Sequence, residues 1–262
     1  MPKPFATRRS PAKLWCARLA LMVFLGLGGH TAQCEPLQGR LEHRQKLPSV
    51  SHLLKPGIHY DQSANKIPAS NAWVRIPTWL AGTWLVTEET AVFRENFSTG
   101  QRSNEHHTFS AKNKFSYGKQ KDKTGQIWHY VGVPYTSDTQ ISGKIEYHQV
   151  MEKDVIQQSD HKVAVRSKVL VVKVNKPSGD IDQTYQQESI TWYTDNADGT
   201  ISMESSTKAF NANGGPVSVT QNRARIHRLA KFTVVDEEYG RNLKALFHQY
   251  LIAQGWNWLI PE

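Results

Sequence analysis

Thr78-Trp79-Leu80-Ala81-Gly82-Thr83-Trp84 opens roughly 150 residues that read almost wholly as β-strand. A Gly-x-Trp at the start of a first long strand suits a small closed barrel whose narrow end is plugged by one large ring. The stretch marks where the folded domain begins and which architecture follows. It names no reaction.

Downstream of it, residues 83–97 alternate as one strand, with Trp84, Val86 and Val92 on one face and Leu85, Ala91, Phe93 and Phe97 on the other. A turn at 98–101 leads to a second strand over 105–117, which carries Phe109 and Phe115. After a charged loop at 119–125, residues 127–131 form a short third strand. A further strand runs through 141–150, with a turn or bulge near Asp154. Residues 161–175 make the strongest strand: Val163, Val165, Val169 and Val171 share a face, opposite Lys162, Arg166 and Lys168. Turns at 176–180, 195–199 and 211–215 separate the remaining strands, 183–194, 200–210 and 217–229. This pattern predicts a mainly β fold, an antiparallel up-and-down barrel of about eight strands spanning 77–232.

The period then changes. Residues 233–262 read as a helix capped by Asp236, with Glu237 and Glu238 in its first turn and Tyr239, Leu243, Leu246, Phe247, Tyr250 and Leu251 as its apolar stripe. Such a helix packs outside the sheet. Gly255 ends it, and Trp256, Trp258, Leu259 and Ile260 form an apolar clasp.

Upstream, residues 35–76 contain Pro36, Pro48, Pro56 and Pro68 without sustained periodicity. They read as a linker, or as an arm that uses Leu53, Leu54 and Ile58 to wrap the barrel. Residues 1–34 read as a signal peptide. Lys3, Arg8, Arg9, Lys13 and Arg18 form its basic region, residues 19–29 its uncharged core, and 32–35 the cleavage region. The core is too short for a bilayer span of about 20 residues. Arg8-Arg9 has twin-arginine spacing, but Pro11-Ala12 replaces the usual apolar pair, and Gln33 before Cys34 argues against lipidation. The expected destination is the periplasm or the exterior, or the thylakoid lumen in a photosynthetic cell.

Charge and cysteine narrow the function classes. The chain has 32 Lys+Arg and 23 Asp+Glu, a net +9. Removing residues 1–34 takes away five basic residues and no acidic ones, leaving +4. The remaining cations are scattered, without the basic stripe of a nucleic-acid groove, so no nucleic-acid partner is expected. Both cysteines, Cys16 and Cys34, fall in the leader or at its boundary. The domain therefore has neither an internal disulfide nor a cysteine metal site. No apolar segment after the leader is long enough to span a membrane.

With Gly82-Thr83-Trp84 at the first strand, about eight antiparallel strands, an export signal and a helix after the last strand, the chain resembles the calycin group of lipocalin-like and nitrobindin-like barrels. The resemblance implies an Arg from the final strand packed over Trp84. Arg223, Arg225 and Arg228 all fall in that strand, the first two on one face and Arg228 on the other, and Arg225 is the preferred partner. Thr194-Asp195 is similar to the Thr-Asp-Tyr element of lipocalins, with Asn196 in place of the aromatic. Nitrobindin-like barrels bind haem through a His, but no such residue maps here.

The chemistry-bearing residues do not assemble into a motif. Neighbours His106 and His107 point to opposite faces. His129, His148 and His227 each read as hydrogen-bonded strand histidines, or singly as a haem or metal ligand. Asp195-x-x-Asp198-Gly199 has too few ligands for a calcium loop and reads as a hairpin turn. Glu88, Glu89 and Glu146 are not paired by spacing, and no nucleophile elbow, His-Glu-x-x-His helix or phosphate loop is present. By contrast, Trp84, Trp128, Tyr130, Tyr185 and Trp192 lie on different strands among Thr, Ser and Gln, which suits a small-ligand cavity or plain core packing. The expected function is non-enzymatic binding of an apolar or amphipathic small molecule by these five rings and Arg225, with no cofactor. Two alternatives stay open: a filled barrel that acts as a structural or interaction protein, and a haem or metal binder using a strand His.

Overall fold

The computed structural model describes residues 42–65, 69–104 and 106–261. The expected signal peptide, both cysteines, Pro36, Pro68 and Glu105 lie outside them. The described chain is mainly β, with antiparallel sheets and one C-terminal helix. Its strands are β1 (Trp73–Ile76), β2 (Gly82–Asn96), β3 (Arg102–Ser103), β4 (His107–Tyr117), β5 (Gln120–Lys121), β6 (Ile127–Tyr130) and β7 (Tyr135–Ile141). They continue as β8 (Lys144–Gln158), β9 (Lys162–Asn175), β10 (Ile181–Asp195), β11 (Ile201–Asn211), β12 (Pro216–Lys231), β13 (Glu237–Glu238) and β14 (Arg241–Asn242). The helix is α1 (Leu243–Ala253). About eight strands were expected, and fourteen are found among the described residues. The extra ones are mostly short segments whose residues alternate too briefly to show a period.

Nine strands form one sheet. β7 to β12 are joined in succession as an up-and-down run, and β12 pairs with β2, so the last long strand meets the first. On its other side β2 pairs with β4 and β3. Among the described residues no ladder joins β4 to β7, which corrects the expectation of a closed barrel. The sheet nonetheless curls. Tyr117 on β4 meets Tyr193 on β10 with ring centroids 5.3 Å apart, although β2, β12 and β11 lie between their strands. The face they share is therefore concave.

The break is filled by a second sheet, β1-β6-β5. Alternation along β6 serves two cores. Ile127 joins the cluster on the concave face with Trp84, Val86, Val163, Ile201 and Ile226. The His129 ring lies 4.9 Å from that of Tyr117, tilted against it. Trp128 and Tyr130 face the other way, onto α1, where Trp73, Leu243, Phe247, Leu251 and Leu259 complete an apolar cluster. The helix thus buries its stripe against the small sheet, not the large one.

Its start also differs from expectation. Asn242 is the N-cap, its side chain accepting from the Ala245 amide at 2.8 Å, while the Asp236 carbonyl accepts from Leu243 at 2.7 Å. Residues 237–242 spend themselves on the β13–β14 hairpin, leaving Tyr239 exposed. Gly255 ends the helix with φ +73°. Leu259 is buried, whereas Trp258 is exposed.

Residues 42–60 run across the convex face as an arm. Leu47 and Val50 donate backbone hydrogen bonds to Gly214 and Ala212, and Gly57 and Tyr60 to Ile181 and Gly179. Leu54 is buried against Leu170, Val172, Val174 and Ile181, with Ile58 beside it, whereas Leu53 is exposed. This cover explains why β9, read as a strand with one buried face, is buried on both. At Gly214, with φ +80°, an added Cβ would lie 1.7 Å from the Leu47 carbonyl. Gly214→Ala is therefore expected to cost about 1–3 kcal/mol and to expose Lys46 to trypsin. Unchanged cleavage and an unchanged urea midpoint would rule the contact out as a determinant of arm docking.

Candidate functional site

The concave face is closed at one end by residues 78–84. Trp84 is wholly buried, and its Nε1 donates to the Leu80 carbonyl at 2.8 Å. The Arg228 guanidinium lies over the indole at 4.2 Å and donates to the Trp79 carbonyl at 2.8 Å and to that of Ala81. Gly82 is required beneath it: with φ +132°, an added Cβ would sit 2.6 Å from the Ala230 carbonyl and 2.7 Å from Arg228 Nη1. Trp79 extends the closure by donating to the Asp160 carbonyl between β8 and β9. Arg225 does not take part. It lies on the opposite face of β12, paired with Asp198 at 2.7 Å and Thr200 at 2.9 Å. The strand alternation separates these arginines, and the face of Ile226, a member of the Trp84 cluster, is also that of Arg228.

Above this floor lies a cavity of about 400 Å3. Val86, Phe115, Tyr117, Tyr193 and Met203 give it an apolar side that belongs to the Trp84 cluster. Ser189, Thr191, Ser205, Thr207, Asn113 and Asn222 give it a hydroxyl and amide side, and Glu89 and Lys153 bring charge. The lining comes from β2, β4, β8, β10, β11 and β12, strands distant in sequence that the curl brings together.

Two of these groups are incompletely satisfied. Asn222 Nδ2 donates to Glu89 Oε2 at 3.1 Å, but its Oδ1 is buried without a partner among the described residues. Lys153 Nζ lies 3.1 Å from His129 Nε2 and 5.6 Å from the centre of the Tyr117 ring. Burial, reinforced by the nearby Lys119 cation, pushes the Lys153 ammonium down to about 8, against a smaller opposing pull from Glu238. Burial and the Lys153 and Lys119 charges push His129 well below the ordinary histidine range. Its imidazole is accordingly neutral and accepts from Lys153 at Nε2, while the buried Nδ1 has no partner among the described residues. Burial also raises Tyr193 to about 12.

Of the six residues expected to bind ligand, Trp84 alone belongs to the cavity's cluster, and it lies in the floor. Trp128 and Tyr130 face α1. Tyr185 donates to Glu146 at 2.9 Å, away from the cavity. Trp192 adjoins Tyr193 in β10 and so faces the opposite side, where Lys162 covers its ring at 4.4 Å. Among the histidines weighed, His129 contacts two residues of the cavity lining, Lys153 and Tyr117, without lining it. His106, His107 and His227 are exposed, and His148 lies 3.4 Å from Glu146. No group of three His, Cys, Asp or Glu among the described residues is placed to hold a metal. Asp198 accepts from Thr200 in a tight turn, as its spacing implies.

A second constellation lies under the arm. His43 Nδ1 is 3.2 Å from Glu188 Oε2, and its Nε2 is 2.8 Å from Ser206 Oγ. This is the connectivity of a Ser-His-carboxylate triad, and sequence reasoning missed it because the three residues are at least 18 positions apart. The surroundings differ from a triad's. Ser206 is 1% exposed in the middle of β11, under the arm that carries His43. Lifting the arm to admit a substrate removes the base. Access and assembly exclude each other, so the constellation is a latch. Glu188 also accepts from the Arg44 amide at 2.8 Å, with the Arg44 and Arg166 guanidiniums at 3.4 and 3.7 Å. Another hollow, about 430 Å3 along β2, β3 and β4, is lined mostly by exposed side chains.

Comparison with family models, curated proteins and solved structures finds no match to this chain.

Proposed function

We propose that this is an exported, lipocalin-like protein that binds an apolar or amphipathic small molecule without catalysis, in the cavity on its concave face. In this reading the curled sheet is an up-and-down barrel left open between β4 and β7, with the β1-β6-β5 sheet as its plug. The cavity is the observation that carries it. Its volume of about 400 Å3 exceeds the ~300 Å3 at which small-molecule sites begin, and it joins an apolar side to a few inward polar groups. Support for the calycin likeness comes from Trp84 lying under an arginine of the last long strand at the closed end. A filled-barrel interaction protein fits less well, since the concave face keeps a hollow of about 400 Å3 above its packed floor. The His129 side chain is already engaged by Lys153, which weighs against a haem-ligand role.

Native mass spectrometry of the protein purified from its natural host is expected to show a retained small molecule in one-to-one ratio. Ser205→Trp, which fills the cavity from β11, is expected to abolish retention at a cost of about 1–3 kcal/mol in stability. Retention undiminished in that variant would place the ligand elsewhere and end the cavity reading.

A further inference from the structure

Resting on the cavity-binding reading, the inference concerns which end of a ligand goes where. The cavity is electrically two-ended. At one end is Lys153, whose ammonium has a neutral imidazole, and no carboxylate, within hydrogen-bonding distance among the described residues. Glu238 is held by Lys119 instead, in a close ion pair. At the other end Glu89 is bound by Asn222 Nδ2, which leaves Asn222 Oδ1 facing no donor. A cation without a counter-ion in a low-dielectric site is costly, as is a buried acceptor without a donor. The first deficit is removed by an anionic group entering the cavity, whereas the Asn222 oxygen is occluded from it. The acidic side of Glu89 repels an anion and so fixes the orientation, while Tyr117, Phe115 and Tyr193 between the two ends present ring faces and edges to a flat apolar body.

We propose that the cavity takes an amphipathic ligand with an aromatic or similarly flat body and an oxyanion head seated on Lys153. The groups facing Lys153 are His129, Lys119 with its partner Glu238, and the Tyr117 ring; Tyr193 and Glu89 complete the charged and titratable lining. Because the head binds the ammonium and not the amine, affinity falls as the pH rises through the lysine's titration near 8.

Two fluorescent probes separate the terms: 1-anilinonaphthalene-8-sulfonate, and N-phenyl-1-naphthylamine, the same rings and N–H without the sulfonate. Wild-type protein is expected to bind both with one-to-one stoichiometry. Lys153→Met is expected to weaken the sulfonate by about ten- to a hundredfold and to leave the neutral amine within about twofold, whereas Lys153→Arg retains sulfonate binding. Sulfonate affinity falls above pH 8 and neutral-probe affinity does not. Thermal melting of each variant checks the fold, and the neutral probe serves as an internal control for cavity integrity. Equal sulfonate affinity in wild type and Lys153→Met, or a parallel loss of both probes in that variant, overturns the head-group assignment while leaving the cavity as a binding site. If the wild type binds neither probe, the cavity-binding reading falls with it.

Discussion

Trp84→Ala is expected to destabilise the protein by about 3–5 kcal/mol, the largest effect of any single truncation at the closed end. The indole is wholly buried, and three things depend on it. It fills the floor of the concave cluster, it satisfies the Leu80 carbonyl through Nε1, and it supports the Arg228 guanidinium on its face. Arg228→Met removes the last of these together with the donors to Trp79 and Ala81, and is expected to cost about 1–2 kcal/mol. Arg225→Ala, on the outer face with exposed Asp198, is expected to leave stability unchanged. Urea unfolding of the three variants checks the order. An Arg225 effect equal to that of Arg228 would refute the assignment of the ring's partner.

Glu188→Ala is expected to cost about 3–5 kcal/mol and to release the arm. Truncation leaves His43 and the Arg44 amide without their shared acceptor, and the Arg166 guanidinium without its nearby opposite charge, in a site where Glu188 itself is fully covered. Acid should mimic the substitution. Burial, the largest influence, would raise the carboxyl. The hydrogen bonds from His43 and Arg44 and the Arg166 charge together hold it below its ordinary value. A depressed carboxyl contributes stability that is complete above the ordinary glutamate range and is lost as pH falls through the lower folded value. Trypsin-independent footprinting of residues 42–60, for example by hydrogen exchange, should therefore show the arm opening in acid before the sheet does. Ser206→Ala removes one neutral partner and is expected to cost about 1 kcal/mol. A serine-directed fluorophosphonate is expected not to label Ser206, and labelling would revive the catalytic reading of the latch.

Local chemistry made much of the fold legible. The long strands β9 to β12 and their turns follow from β-branched alternation interrupted by Gly, Asn and Asp, signals that act over a few residues. Gly82 and Trp84 were legible for the same reason, and the structure supplies the cause: the glycine makes room for the arginine that covers the ring. The helix start was misplaced because Asp236, Glu237 and Glu238 carry the chemistry of a first turn, yet pair into a hairpin. The short strand β1 gains stability by packing between two cores, which no local pattern announces, whereas β6, which packs there with it, was legible as the strand expected at 127–131.

The site was less legible than the fold. Aromatic rings chosen as cavity lining were assigned by residue type, and alternation places Trp128, Tyr130 and Trp192 on faces that other elements cover. The lining of the cavity on the concave face includes many small polar residues, such as Ser189, Thr191, Ser205 and Asn222, which in sequence resemble any solvent-facing strand residue. Lys153 gave no signal either, since a lysine in an alternating strand ordinarily faces water.

What the sequence by itself determined is the antiparallel β character, the turn positions and the requirement for Gly82 and Trp84 at the entry to the first long strand, because these depend on φ/ψ preference and side-chain period. Only the tertiary structure decided which arginine covers Trp84, where the sheet stays open, which face the arm buries and which polar groups look inward. Those outcomes depend on the curl of the sheet and on its bulges, which bring residues more than 60 positions apart, Glu89 and Lys153 among them, to the walls of one cavity.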